Sequence, residues 1–249
     1  MIKVISYNIL SDRYCCYKQD DIKTHHLLKR YEFVSPELLL WENRLPKIIS
    51  IIKNYDIICL QEVDLIYIND IVDLLPGYQY CSHILYKEGQ DKSIYKRTNP
   101  IGNITLWKNI NCIDGKFNSC AVFTKFSILS NDFLLINVHL KGGRDFERER
   151  INQLKACLKN TDNKTIICGD FNDQFENELT KLLNGFTLYP NQLTCCCYQS
   201  FTKTQNYHSF DHVVSKQLTI TQHPTDIMEP IPNETNPSDH LPIKFDIIF

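Results

Sequence analysis

Short apolar runs recur from one end of this 249-residue chain to the other, and each stops at a polar residue. They include Ile57 to Leu60, Ile104 to Trp107, Cys120 to Phe123, Leu134 to Leu140, Thr165 to Cys168, Phe210 to Val214 and Leu241 to Phe249. Runs this short, rich in β-branched and aromatic residues, read as β-strands. Ile2 to Asn8 opens the chain with the same pattern, too short and too polar for a signal peptide or a membrane span. Two helical patterns lie between strands. Ser35-Pro36-Glu37 resembles an N-cap with proline at the first helical position, and Leu38, Trp41, Leu45, Ile48 and Ile52 follow at steps of three or four, with a kink or restart expected at Pro46. A second helix is expected from Asp145 to Leu158, burying Phe146, Ile151, Leu154 and Leu158 and turning Glu147, Arg148, Glu149 and Arg150 to water.

No repeat, low-complexity tract or Gly/Ser linker divides the chain, so residues 1–249 are expected to form a single domain. The two longest polar stretches, Tyr86 to Pro100 and Pro224 to Pro237, are expected to be loops overhanging one edge of the sheets. The first carries Lys87, Lys92, Lys96 and Arg97, which would line a backbone groove, and Tyr95, which could stack on a base. Trp107, inside a strand, is expected in the core.

Charge narrows the partners. With 27 basic and 29 acidic residues the net is −2, so a phosphate-rich partner must be held by a local site and not by a general positive field. The eleven cysteines include no CxxC pair, which argues against a zinc finger. Cys15-Cys16 and Cys195-Cys196-Cys197 are contiguous, and Cys59 and Cys168 sit inside apolar runs. Free thiols, a reducing cytoplasmic compartment and no membrane association are therefore expected. The side chains of Cys195, Cys196 and Cys197 would alternate across a strand and so not chelate together.

The polar residues at the strand ends are the ones with chemistry in them. Asn8 closes the first strand, Gln61-Glu62 follows Leu60, Asn137 and His139 punctuate Leu134 to Leu140, and Gly169-Asp170-Phe171-Asn172 follows Cys168. Asp211-His212 and Ser238-Asp239-His240 come later. Hard oxygen ligands such as Glu62 and Asn8 suit Mg²⁺, which uses one or two carboxylates and completes its shell with water and phosphate oxygens. Asp170 and Asn172 could set a base and a phosphate-orienting donor on one side of an extended segment. Each residue alone also has a plain structural reading: Asn8 as a turn former, Glu62 as an acid ahead of a helix from Leu65 to Leu75, Asp239 as a cap.

Taken in order, Ser-Tyr-Asn, Leu-Gln-Glu-Val, Asn-Val-His-Leu, Gly-Asp-Phe-Asn, Phe-Asp-His and Ser-Asp-His resemble the endonuclease/exonuclease/phosphatase superfamily, the deoxyribonuclease I-like metal-dependent phosphodiesterases. The likeness runs from Tyr7 to His240. The segments Tyr7 to Leu10, Trp41 to Arg44, Gly102 to Trp107, Asn118 to Val122 and His139-Leu140-Lys141, followed by Glu147, Arg150 and Gln153, look most like the deadenylase and nocturnin branch. The resemblance implies an α/β fold, a four-layer sandwich of two packed mixed β-sheets flanked by helices, with the active site at one end. It also implies that Glu62 is the principal Mg²⁺ (or Mn²⁺) ligand with Asn8 beside it, and that Asp170 activates or positions the attacking water. His139, Asn172 and His240 would contact the scissile phosphate, Asp211 and Asp239 would orient His240 and the water at the metal, and Lys141 and Arg144 would bind substrate.

Two departures bear on the substrate. Abasic-site DNA endonucleases carry an acid two residues after the first Asn, where this chain has Leu10, a residue that fits the RNA-acting branch. Nocturnin-like enzymes, which remove a phosphate from NADP(H), carry a basic residue two positions after the lysine matching Lys141; here that position is Gly143, with Arg144 one step on. The expected function is a Mg²⁺-dependent 3′-5′ exoribonuclease acting on RNA, as a monomer. The alternatives are a phosphatase or phosphodiesterase on a small nucleotide, such as a 2′-phosphate or a 2′-5′ oligoadenylate, and a catalytically inactive nucleic-acid-binding module. Clustered carboxylates with no structural use argue against the last.

Overall fold

The computed structural model describes residues 1–15, 31–85, 100–176, 178–199 and 202–249. In chain order its elements begin with β1 (Ile2–Asn8), α1 (Asp12–Cys15), α2 (Pro36–Leu39), α3 (Trp41–Ile52), β2 (Ile57–Asp64), α4 (Ile68–Asp73), β3 (Gln79–Leu85), β4 (Ile101–Trp107), β5 (Asn111–Phe117), β6 (Ala121–Ile128) and β7 (Asn131–His139). They continue with α5 (Glu147–Leu158), β8 (Thr165–Asp170), α6 (Glu178–Leu182), β9 (Thr187–Leu188), β10 (Cys195–Gln199), β11 (Thr204–His208), β12 (Asp211–Lys216), β13 (Thr219–His223) and β14 (Ile243–Ile248). The strands build two mixed six-stranded sheets, β13-β14-β1-β2-β4-β3 and β5-β6-β7-β8-β12-β9, and β10 and β11 form a separate two-stranded ribbon.

Three apolar layers account for the stacking. Between the sheets lie Val4, Cys59, Trp107, Phe126, Phe133, Cys168 and Phe245. Ile5, Tyr7, Leu60 and Ile104 cover the outer face of the first sheet against Ile48 and Ile52 of α3 and Ile71 of α4. Phe123, Ile136 and Val138 do the same for the second sheet against Leu154 of α5 and Leu179 of α6. β1, β4 and β8 are buried nearly throughout, on both faces, so they lack the polar-out alternation of a strand with one wet side. The expected four-layer α/β sandwich is present, with Trp107 in its core and Cys59 and Cys168 packed as small apolar side chains. The ten described cysteines are free thiols. The elements without an apolar run in the sequence are the peripheral ones, such as β5, whose side chains are almost all exposed.

The two expected helices need correction in detail. The first is interrupted at Leu40, whose φ of −66° and ψ of 135° are extended, and not at Pro46, which lies inside α3. Pro46 and Glu42 are both on the wet face, so water can take the carbonyl that proline leaves without a donor. The break falls where the buried Arg44 side chain takes the Leu39 carbonyl through Nε at 3.0 Å. In α5 the buried residues are Arg150, Leu154 and Cys157, while Phe146 is exposed. Arg150 turns inward because it donates to the Lys141 and Gly143 carbonyls at 3.0 and 2.7 Å and pairs with Asp173 at 3.4 Å. The stretch from Pro224 to Pro237 holds no helix or strand, and residues 86–99 lie outside the described residues.

The topology brings the strand ends together. The parallel pairs β1/β2 and β7/β8 put Asn8 opposite Gln61 and His139 opposite Asp170 at the same end of the sandwich. β12 runs antiparallel to β8 and begins there, with Asp211 opposite Asp170. A buried amide bolt joins the sheets below this end: Gln61 Nε2 donates to Asn137 Oδ1 at 2.7 Å, and Asn103 Nδ2 donates to the Asn137 carbonyl at 3.1 Å.

Candidate active site

Backbone irregularities aim the side chains at the sandwich end. A register shift between Leu60 and Val63 bulges β2, and Glu62 within it takes a left-handed φ of 57°. Asn172 does likewise at 51°, its N–H donating to Asp170 Oδ1 at 2.8 Å. Gly169 has a φ of 139°, and a Cβ there would lie 2.0 Å from the Val138 carbonyl oxygen, so only glycine lets β8 approach β7 this closely ahead of Asp170.

Asn8 links the two central carboxylates. Its Nδ2 donates to Glu62 Oε1 at 3.2 Å and to Asp170 Oδ2 at 3.0 Å, while its Oδ1 accepts the Leu10 N–H at 3.1 Å. It thus presents its amide nitrogen to the carboxylates, where a metal ligand would present oxygen. His139 Nε2 stands 3.7 Å from both Glu62 Oε1 and Asp170 Oδ2, and His240 Nε2 stands 3.8 Å from Asp170 Oδ2. On its other side His240 Nδ1 meets Asp211 Oδ2 at 2.8 Å, an oxygen that also accepts the Thr194 hydroxyl at 2.7 Å. Asp239 is buried beside them and accepts the Tyr31 hydroxyl at 2.8 Å. Ser238 donates from Oγ to the Asn8 carbonyl at 2.7 Å and receives the His240 N–H at 3.2 Å, which pins the last loop to the first strand.

The electrostatics of the two central groups are opposed. Burial pushes the Asp170 carboxyl up to about 6, helped by the Asp211 charge and countered by His240, His139 and the Asn8 bond. Burial alone would drive the His240 imidazolium down, but the Asp211 and Asp170 charges, the bond to Asp211 and the Asp239 charge hold it well above its ordinary value. The surrounding carboxylates thus favour the protonated form of His240. Among the described residues, two sets of side chains offer ligand atoms all within 4.8 Å of one another: Glu62, His139 and Asp170, and Asp170, Asp211 and His240. In the second the Asp211 carboxylate is already engaged by His240 and Thr194, whereas the first offers two carboxylates as the hard oxygens that Mg²⁺ prefers.

The remaining sequence candidates fall at and beyond the rim. Asn172 donates from Nδ2 to the Leu140 carbonyl at 3.0 Å, leaving one amide proton for a ligand. Lys141 and Arg144 are exposed. Lys141 Nζ lies 4.9 Å from the Phe146 ring centroid, and the loop that carries it is held by Arg150 and by Gln153, which accepts the Lys141 N–H at 2.8 Å. Lys87, Lys92, Tyr95, Lys96 and Arg97 lie outside the described residues. His212 faces away from the centre, because neighbours on a strand point to opposite faces: its Nε2 meets the Asp173 carbonyl at 2.7 Å and its ring stacks on Phe175 at 3.8 Å. Thr194 and Ser11 are the residues that sequence reasoning missed. Neither lies in a motif, and each is brought in by contacts distant along the chain.

Comparison with known proteins agrees with this architecture. The signature of the Endonuclease/Exonuclease/phosphatase family matches residues 5–240. No curated protein sequence matches the chain. Among solved structures, the human Nocturnin catalytic domain with bound sulfate is 18% identical with a TM-score of 0.67, the match covering 99% of this chain and 93% of that one. ANGEL2, described as a 2′,3′-cyclic phosphatase and bound to adenosine-2′,3′-vanadate, is 17% identical with a TM-score of 0.74, covering 98% and 95%. TDP2 from Caenorhabditis elegans is 18% identical with a TM-score of 0.61, covering 100% and 75%. With strand-end residues in the family's order, on the family's two-sheet sandwich and within its sequence signature, the chain belongs to the Endonuclease/Exonuclease/phosphatase family and is a metal-dependent phosphoric-ester hydrolase.

Proposed function

We propose that the protein is a Mg²⁺-dependent phosphodiesterase that hydrolyses RNA as a 3′-5′ exoribonuclease. The observation that carries the reading is the asymmetry of the centre: Asn8 joins the carboxylates of Glu62 and Asp170, and on its far side Asp170 lies 3.8 Å from the His240 ring that Asp211 binds. Glu62 and Asp170 would hold the cation, with Asn8 setting the rotamers of both. Bound there, Mg²⁺ supplies Lewis-acid stabilisation of the negative charge that gathers on the phosphate oxygens. Asp170 accepts a proton from the attacking water or aligns it. His240 turns its Nε2–H towards the phosphate and stabilises the developing charge, while Asp211 and Thr194 keep the ring from rotating. The spare Asn172 amide proton and His139 bind the same phosphate group, Asp239 adds to the field around His240, and Lys141 and Arg144 hold flanking phosphates.

Support for an RNA substrate is the Leu10 position and the likeness of the sequence blocks to the deadenylase branch. A second reading, a phosphatase on a small nucleotide, draws on the likeness to ANGEL2. Single-turnover assays on RNA, DNA, 2′-5′ oligoadenylate and NADP(H), with Mg²⁺ and with chelator, separate them. RNA should be shortened from its 3′ end only with Mg²⁺ or Mn²⁺ present. Glu62→Gln should lower kcat/KM by roughly a thousandfold, about 4 kcal/mol of transition-state stabilisation, with the fold intact. Undiminished hydrolysis after exhaustive chelation would sink the metal reading, and turnover of NADP(H) alone would sink the RNA reading.

A further inference from the structure

Two residues beyond Glu62 on β2, a second carboxylate is buried that takes no part in the chemistry above. Asp64 is 3% exposed. Both its oxygens lie 2.9 Å from the Ser11 hydroxyl, and Oδ2 also accepts the Asp12 N–H at 2.9 Å. Ser11 Oγ in turn accepts the Arg13 N–H at 3.0 Å. The same Ser11 donates its own N–H to Glu62 Oε2 at 3.0 Å. Each Glu62 oxygen is thus held from this part of the chain, Oε1 by Asn8 at the end of β1 and Oε2 by Ser11 in the segment that follows it.

That segment lacks regular structure between Asn8 and Asp12, and Leu10 within it takes a left-handed φ of 59°. From one side Arg44 holds it, donating from Nη1 to the Ile9 and Leu10 carbonyls at 2.7 and 2.8 Å. From the other side the bonds to Asp64 hold it. An ion ligand needs its carboxylate rotamer set before the ion arrives, and partners of the ligand do that setting. On the Proposed function reading, with Glu62 as the metal carboxylate, we propose that Asp64 and Ser11 form a latch that fixes the Glu62 rotamer and thereby sets the affinity for the divalent ion. Asp64 is a positioning residue: it acts through Ser11 and not on substrate.

The test is Mn²⁺ binding by metal-free protein, followed by calorimetry and by the electron paramagnetic resonance of free Mn²⁺. Asp64→Asn, which cannot accept at both oxygens, and Ser11→Ala, which removes the hydroxyl, should each raise the Mn²⁺ dissociation constant about tenfold or more. Ser11→Thr, which keeps the hydroxyl, should restore affinity to near the wild-type value. In a Glu62→Gln background, where the ion is already lost, neither substitution should weaken binding further. Wild-type Mn²⁺ affinity in Ser11→Ala and Asp64→Asn, with only their melting temperatures lowered, would show a purely structural role and overturn the latch. If Asp64→Asn does not fold, Ser11→Ala decides alone. Undiminished Mn²⁺ binding by Glu62→Gln by itself would instead overturn the metal assignment, and the latch with it.

Discussion

Asp170 shows how one residue can be costly for the fold and yet stand at the centre of the candidate site. Its carboxyl is buried and titrates near 6 in the folded chain against 3.8 for an unperturbed group. A raised folded value means that the stability it contributes is fully present below pH 3.8 and is lost as pH rises through 6. Asp170→Asn removes this dependence. In chelator, the unfolding free energy of the variant relative to the wild type should rise steadily between pH 4 and pH 7, as read from urea midpoints, while hydrolysis is lost. A constant difference across that range would mean that Asp170 is not the group whose ionisation burial opposes. His240 has the same sign, since its folded value is raised as well: the stability its contacts with Asp211 and Asp170 contribute is fully present below its ordinary value and is lost as pH rises through the raised one.

At the scale of elements, the close approach of β7 and β8 decides where Asp170 sits. Gly169 is opposite Val138 in the parallel ladder, and any Cβ at Gly169 meets the Val138 carbonyl oxygen. Backbone cannot move aside as a flexible side chain does. Gly169→Ala should therefore destabilise the protein by about 3 kcal/mol or more, measured by urea unfolding, because the strands must part or the ladder must shift. Gly77, where a Cβ meets nothing within 4 Å, is the control for the same substitution in open space, although its φ of 85° adds strain of its own. α5 shows a second element effect. Its charged run is only partly a solvated face, because Arg150 and Gln153 clamp the Lys141 loop from beneath.

For the whole molecule, the net charge of −2 limits how a polyanion can be held. If RNA is the substrate, log(kcat/KM) should fall with log salt with a slope reflecting roughly two to four phosphates, at about 0.7 per phosphate for a single strand. Replacing Lys92, Lys96 and Arg97 together with alanine should flatten that slope and raise KM while sparing kcat, since such contacts bind ground and transition states alike. Unchanged kinetics on a 20-nucleotide oligoadenylate at every salt concentration would exclude this stretch as the groove. Among the described residues no helix is long and apolar enough to cross a membrane.

How far the sequence could be read follows from the range of the forces involved. The inner strands were legible because burial on both faces leaves continuous apolar runs, and the strand-end residues because each interrupts such a run: Asn8, Glu62, His139 and Asp170 are one step from apolar neighbours in the chain. These are local properties, set by which side chains water rejects. The pairing of β1 with β14 at opposite ends of the chain, the pairing of Arg150 with Asp173, the outward turn of His212 and the anchoring of Arg44 on the Ile9 and Leu10 carbonyls were decided by contacts far apart in sequence. The same holds for charge. That the Asp170 carboxyl is raised while the His240 imidazolium is held depends on desolvation and on separations of a few ångströms between β8, β12 and the last loop, and no spacing along the chain encodes those distances.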